Sequence, residues 1–277
     1  MPSGPEAATL GRVLDDDAML SLLDDAAAAV SDALGRVEDW GLSGKRPTQY
    51  RHDLVADEAV LGVLVPAGVT VLSEESGRHE GSSAASVTVV VDPVDGSTNA
   101  SSALRPWATS LCALDDQGPW VSLVVDLTSG TRFAAQRGHG AELGLGAPRG
   151  RQRPQRAADA LVGLSGFPAH HLGWRQFRSF GASALELCYV AAGMLDAYVE
   201  CTAQGIAPWD YLGALLVCQE CGVTVLERDD RELVVVDHEA RRSPVAGATP
   251  ELAVELRARV RAAGPAARPE ERDVVAG

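Results

Sequence analysis

Five carboxylates stand at the ends of predicted elements. Glu74 and Glu75 follow the apolar run 69–72, Asp92 and Asp95 follow the run 86–91, and Asp210 opens a helical stretch in the second half. In open α/β sheets, sites form beyond the carboxyl ends of strands. Carboxylates gathered there repel one another, so they take up protons or bind a hard cation. An oxygen-only donor set favours magnesium, calcium or manganese over zinc.

The residues between the two aspartates add detail. Pro93 fixes one φ and removes one amide donor, so the chain turns sharply and can aim both carboxylates and the Val94 carbonyl inward. Gly96 allows close backbone approach. Ser97 and Thr98 read as the first turn of a helix, whose free amides suit a phosphate. Carboxylates for metal beside a phosphate cradle point to phosphoryl chemistry. Taken alone, an Asp-Pro-x-Asp-Gly run is equally a plain turn. A calcium loop counted from Asp92 fails, because Val94 and Gly96 fall at its third and fifth positions.

The surrounding pattern says which elements must hold these groups. Helical spacing covers 16–37, and a second helix covers 55–64. Strands read at 69–72, 86–91, 109–114, 120–126 and 132–135. The near-continuous apolar run 86–91 implies burial on both faces. Residues 137–156 are rich in Gly, Pro and Arg without periodicity, which suggests an N-terminal α+β domain over 1–150 and a C-terminal α/β domain over 151–277. The second half reads as strand 161–164, helix 183–194, strand 197–200, helix 209–221, strands 223–226 and 232–236, and helix 251–262. The first dozen residues and the segment after Gly264 read as loose ends. The order is mixed α and β, with helices covering sheets.

Composition narrows the class. The chain has 277 residues, 46% hydrophobic and 22% charged, with a formal net charge of −14. That balance argues against a nucleic-acid polymer or an anionic membrane as the main partner. A small anionic substrate stays open, since a bound cation reverses the local field. No run approaches the roughly 20 apolar residues of a membrane helix. The N-terminus lacks a basic-then-apolar leader. Five cysteines make no disulfide framework, so a reducing, cytoplasmic setting is the simplest expectation.

Glu74-Glu75-Ser76, then Asp92-Pro93-Val94-Asp95-Gly96-Ser97-Thr98-Asn99, then Pro208-Trp209-Asp210 together resemble the inositol monophosphatase family, the magnesium-dependent, lithium-sensitive phosphatases. Lesser matches lie at 133–141, 181–184 and 196–200, so the similarity spans roughly 15–262. The resemblance implies alternating α/β/α/β/α layers and hydrolysis of a small phosphate monoester with two or three Mg²⁺ ions. It implies that Glu74, Asp92 and the Val94 carbonyl hold one ion, and Asp92, Asp95 and Asp210 another. A third leans on Glu74. The Gly96 and Ser97 amides receive the phosphate, and Ser97 Oγ, backed by Asp57, orients the attacking water beside Glu74. Asp95, Gly181, Ser183 and Glu200 lie on the substrate side.

Inositol monophosphate is the implied default substrate. 3′-Phosphoadenosine 5′-phosphate, fructose 1,6-bisphosphate and histidinol phosphate stay open, and a homodimer is the implied assembly. The chain departs from the family pattern in places. Ser97 stands where threonine is commoner, and Asp53-Leu54-Val55-Ala56 replaces the usual threonine-bearing stretch before Asp57. Segment 201–208 runs longer than the pattern. The rival of another class is a quiet homologue that binds metal and a phosphorylated ligand without turnover.

Other residues carry two readings each. Cys218-x-x-Cys221 sits in a predicted helix without a second Cys pair, so packing outweighs zinc or redox chemistry. Cys201 is read as core rather than pocket rim. His170-His171 reads as a loop rather than a substrate contact. Arg149, Arg151, Arg153 and Arg156 read as a solvated loop. Trp174, Arg175 and Arg178 are either surface packing or contacts to substrate or subunit. Glu75 either supports the metal ligands or is an exposed acid beside them.

Overall fold

The computed structural model describes residues 14–82, 87–144 and 152–264. Expectations for the two chain ends, Ser86, Arg149 and Arg151 lie outside the described residues. The first helix, α1, runs Asp16–Leu34. Asp15 caps it by accepting from the Ala18 amide at 2.8 Å, and Asp16 and Asp17 favour its N-terminal dipole. Its buried face carries Met19, Leu23, Ala26, Ala27, Val30, Ala33 and Leu34 at helical spacing. Helix α2, Arg51–Leu64, starts four residues before the expected position. Asp53 explains the early start: its carboxylate accepts from the Tyr50 amide at 2.8 Å and so caps the first turn.

A seven-stranded sheet follows. Its strands are β1 (Thr70–Ser73), β2 (Gly77–His79), β3 (Thr88–Asp95), β4 (Ala108–Asp115), β5 (Gly118–Asp126), β6 (Thr131–Gln136) and β7 (Gly140–Leu143), in the order β2-β1-β3-β4-β5-β6-β7. Among the described residues of this sheet only β1 and β3 pair in parallel. Helix α3 (Ser97–Ser101) leaves the end of β3. The second sheet holds β8 (Leu161–Ser165), β9 (Gln176–Arg178), β10 (Ala197–Glu200), β11 (Thr224–Glu227) and β12 (Pro244–Gly247), in the order β11-β12-β10-β8-β9. Helices α4 (Ser183–Ala191), α5 (Leu212–Glu220) and α6 (Pro250–Ala263) complete the chain.

The apolar side chains set the layers. Val89 and Val91 of β3 face α1 and α2, whereas Val90 faces α4 and α5. The continuous apolar run therefore has cover on both sides. Helices α4 and α5 touch both sheets through one cluster that includes Phe133, Leu185, Tyr198 and Ala246. Helix α6 covers the outer face of the second sheet through Leu252, Leu256 and Val260. The result is an α/β/α/β/α sandwich, as expected.

Some expected elements differ. Residues 232–236 form no strand; Val234 and Val236 are exposed on a long connection between β11 and β12. β12 is already paired on both edges, by β11 and β10. Short edge strands β2, β7 and β9 were not expected. Each has three or four residues and little apolar signal, so pairing with a neighbour rather than propensity forms them.

Candidate active site

Three backbone devices bring the acids together. Glu74 follows β1, and its amide donates to the Val91 carbonyl at 3.1 Å, which holds it beside the end of β3. The ladder between β3 and β4 is irregular between Asp92 and Asp95, and the Val94 amide donates to Asp92 Oδ1 at 3.0 Å. Asp210 ends a single 3₁₀ turn, Pro208–Asp210; its Oδ2 accepts from the Ala207 amide at 2.6 Å. Ser110 on β4 donates to the Trp209 carbonyl at 3.2 Å and ties that turn to the first sheet.

The outcome is that Glu74, Asp92 and Asp210 each bring a carboxylate oxygen within 4.8 Å of the other two. Asp95 stands beside them. Its two oxygens accept from the Ser183 amide at 3.2 Å and the Ala184 amide at 2.8 Å, at the start of α4. None of the four acids forms a salt bridge with Lys, Arg or His among the described residues. Burial, then the charges of Asp210 and Glu75, push Glu74 well above the usual carboxylate range. Burial, then Glu74 and Asp95, do the same to Asp92. Burial and Asp210 raise Asp95, and burial pushes Asp210 up to about 7. An all-oxygen set that must otherwise hold protons fits a hard divalent cation, and the buried Val94 carbonyl adds a neutral oxygen.

The phosphate side is equally local. Gly96 has φ 95°, a conformation glycine adopts freely. A Cβ there would lie 3.0 Å from the Gly181 carbonyl oxygen and 3.3 Å from Trp107 Cβ. Ser97 Oγ donates to the Val94 carbonyl at 2.8 Å. Glu74, Asp92, Val94, Asp95, Gly96, Ser97, Gly181 and Asp210 line one cleft of about 360 Å³.

Three expected site residues do not line it. Asp57 lies one helical turn beyond the cleft and accepts from Ser73 Oγ at 2.5 Å. The acid facing Ser97 is instead Asp53, four residues earlier on the same helix face. Asp53 is 2% exposed, and its Oδ1 accepts no hydrogen bond of good geometry, although the His52 Nε2 atom lies 3.2 Å away. The partner expected for Ser97 is thus corrected by one turn: the first turn of α2 reaches the cleft and the second faces β1. Ser183 sits behind Asp95, with its hydroxyl accepting from the Tyr198 hydroxyl at 3.0 Å. Glu200 is fully buried and accepts from the Thr202 amide at 2.5 Å; burial raises its pKa.

Sequence reasoning also missed Arg46, Thr48, Gln49, Tyr50 and Asp53, which line the same cleft together with Thr98 of the phosphate-side turn. Only Asp53 had a signal, as an acid in the stretch that departs from the family pattern just before Asp57. Glu75 is held by Arg46 and Gln49, so it organises the loop before α2 rather than standing free. His52 is fully buried against Trp40 and Tyr50, and burial pushes it down to about 4, so it is neutral.

The remaining candidates fall outside the cleft. Cys188, Cys201 and Cys218 are buried free thiols; Cys218 donates to the Leu187 carbonyl at 3.3 Å. Trp174 is buried against the second sheet. His170 and His171 are exposed, with His171 Nδ1 accepting from the Gly173 amide. Arg153, Arg156 and Arg175 line a separate cleft. Arg178 bonds the Phe177 carbonyl. Among the described residues no helix is long and apolar enough to cross a membrane.

Comparison with known proteins places the chain among related sequences and folds. The family model described as "Inositol monophosphatase family" matches residues 53–264. The Nus factor SuhB of Salmonella typhimurium is 33% identical over 168 residues, 55% of this chain; the match spans 61% of that relative's length. The inositol-1-monophosphatase of Caulobacter vibrioides is 30% identical over 232 residues, 76% of this chain and 88% of the relative. The crystal structure of the extragenic suppressor protein SuhB from Bartonella henselae superposes with a TM-score of 0.73 at 24% identity, covering 88% of this chain and 98% of that one. The chain belongs to the inositol monophosphatase family.

Proposed function

We propose that this chain is a Mg²⁺-dependent phosphomonoesterase acting on a small phosphorylated metabolite, with inositol monophosphate the first candidate. The observation that carries the reading is the meeting of Glu74, Asp92 and Asp210 within 4.8 Å beside Gly96 and Ser97. Glu74, Asp92 and the Val94 carbonyl would hold one ion, Asp92, Asp95 and Asp210 a second, and Glu74 a weaker third. Bound Mg²⁺ would supply a nucleophile at neutral pH and neutralise phosphate charge.

The chain's own groups do the rest. The Gly96 and Ser97 amides bind phosphate oxygens. Ser97 Oγ–H now rests on the Val94 carbonyl. With that carbonyl engaged by an ion, the Ser97 hydroxyl proton would be free, and the buried Asp53 Oδ1, which accepts no hydrogen bond of good geometry, would be the acceptor that takes it. The Ser97 lone pairs and Glu74 then accept from the attacking water and align it with the phosphorus. Asp95, held by two amides of α4, faces the substrate side. Gly181 lines that side, and Ser183 acts through Asp95. Lithium inhibition, a homodimer and a cytoplasmic setting belong to the same reading.

A second reading has one observation behind it: the SuhB relative is named as a Nus factor rather than as a phosphatase. On that reading the chain binds metal and a phosphorylated ligand without turnover. Phosphate release from a panel of monoesters, with and without Mg²⁺ and with added Li⁺, separates the two. The panel includes inositol monophosphate, 3′-phosphoadenosine 5′-phosphate, fructose 1,6-bisphosphate and histidinol phosphate. Mg²⁺-dependent release that falls with Li⁺ supports the phosphatase. No release from a chain that binds Mg²⁺ supports the quiet homologue.

A further inference from the structure

The connection between β11 and β12 is longer than their pairing needs. The strands are antiparallel neighbours, with Glu227 opposite Pro244. Such neighbours close with about two to five residues, and much longer connections in compact folds serve function. Here the 16 residues 228–243 intervene. Their course is fixed by bonds. The Tyr211 hydroxyl donates to the Leu233 carbonyl at 2.6 Å, and Arg242 Nε donates to the Glu232 carbonyl at 2.5 Å. Arg242 and Ile206 exchange two backbone hydrogen bonds of 2.8 Å.

The far end of this excursion reaches the acids. His238 Nε2 lies 3.1 Å from the Glu74 carbonyl oxygen, so that nitrogen carries the proton and donates. The imidazole tilts over Trp209, with ring centroids 4.8 Å apart. The Arg241 guanidinium stands 5.5 Å from the same indole. Arg241 Nη1 donates to the His238 and Ala240 carbonyls at 2.9 and 2.8 Å, which curls the segment back on itself. Trp209 is 3% exposed and immediately precedes Asp210.

We propose that His238 and Arg241 are positioning residues that clamp the turn carrying Asp210 against the strand end carrying Glu74. Those two acids come from distant parts of the chain and repel each other when no cation lies between them. Ser110 holds the Trp209 carbonyl from the first sheet, and the excursion from the second sheet closes over the indole. Metal affinity depends on such outer contacts, because they fix the ligand spacing before the ion arrives. The proposal rests on the metal-site reading but not on turnover.

The test titrates the full chain with Mn²⁺ by calorimetry, in parallel with phosphate release under Mg²⁺. His238→Ala is expected to weaken Mn²⁺ binding by about 10-fold or more. His238→Gln, which keeps an N–H at similar reach, recovers most of that affinity. Arg241→Ala weakens binding by about fivefold, the equivalent of one lost cation–π contact. Thermal unfolding with EDTA shows that each variant is folded. Unchanged affinity in a folded His238→Ala overturns the proposal, as does a His238→Gln loss as deep as that of alanine. If His238→Ala does not fold, Arg241→Ala decides, and parental affinity there overturns it. His238-dependent Mn²⁺ binding without phosphate release removes the phosphatase reading and leaves the clamp. A parent chain that binds no Mn²⁺ removes both.

Discussion

Two buried acidic regions of this molecule obey opposite rules. At the base of the β11–β12 connection, Glu227 is 4% exposed and fully partnered. It accepts from the amides of Asp229 at 2.6 Å, Arg231 at 3.1 Å and Ser243 at 3.1 Å, and from Arg231 Nε at 3.0 Å. Burial works against its charge, but the Arg231 and amide donors win and hold it below its ordinary value. In the cleft, Glu74, Asp92, Asp95 and Asp210 form no salt bridge among the described residues and are all raised, although the Arg241 charge partly offsets the rise at Asp210. An acid that serves the fold is satisfied by the fold. Acids left in mutual conflict mark a place where something else completes the charge balance.

The comparison is broken most severely by neutralising one acid of the cleft. Asp92→Asn is expected to cut Mg²⁺-dependent phosphate release by about 10³-fold or more, a loss of the order seen when a transition-state electrostatic contact is removed. The metal-free protein should become more stable, because Asn needs neither the proton nor the unpaired charge that burial imposes on Asp92. Turnover assays and unfolding in EDTA check the two halves. If stability falls as turnover does, Asp92 is a structural acid like Glu227.

Ser97→Ala and Asp53→Asn should each lower turnover by about 10²-fold, since both remove part of the water-orienting pair. The double variant should cost little more than either single one, because they act as a unit. Additive losses would separate Asp53 from the mechanism.

Glu227→Ala tests the other region. It leaves three amides and Arg231 without their acceptor, so stability should fall by about 3 kcal/mol while the residual folded protein keeps its Mg²⁺ requirement. Denaturant unfolding measures the first effect. An unfolding free energy close to the parent's would mean that the connection is not anchored there.

The pH dependence sharpens the contrast further. Asp210 has a native pKa near 7 against an ordinary 3.8. Across that window the native state holds more protons than the unfolded chain, so its contribution to stability is present at low pH and is lost as pH rises. In EDTA, Asp210→Asn should therefore gain stability relative to the parent from about pH 4 to 7 and level off above. Taking the difference removes His52, whose lowered value works in the opposite sense. With saturating Mg²⁺ at pH 8 the order should invert, because only the parent binds the ion fully. A difference that stays flat with pH would place Asp210 among the satisfied acids.

The smallest effect is expected at Asp57. Asp57→Asn weakens the Ser73 hydrogen bond and should cost about 1 kcal/mol of stability, with kcat nearly unchanged. A 10²-fold loss of turnover there would restore Asp57 as the partner of Ser97.

What the sequence determined by itself was chemistry written in contiguous residues. In Asp92-Pro93-Val94-Asp95-Gly96-Ser97 the strand runs on through Asp95 with an irregular ladder instead of turning sharply between the aspartates; Pro93 fixes one φ and Gly96 permits the positive φ of 95° that ends the strand. The periodicity of α1, the range of α6 and the apolar runs of β3 to β5 were legible because their signals act over a few residues. The tertiary structure decided what a single turn or a long connection can change. Asp53 and Asp57 are equivalent acids at helical spacing, and only the packing of α2 on the first sheet sends the first to Ser97 and the second to Ser73. Glu200 matches the motif but is sealed behind the cleft by Thr202 and the second sheet. His238 and Arg241 carry no pattern in the chain at all. They reach Glu74 and Trp209 because β12 pairs with β11 only after a long detour, and such pairing is set by long-range burial rather than by neighbouring residues.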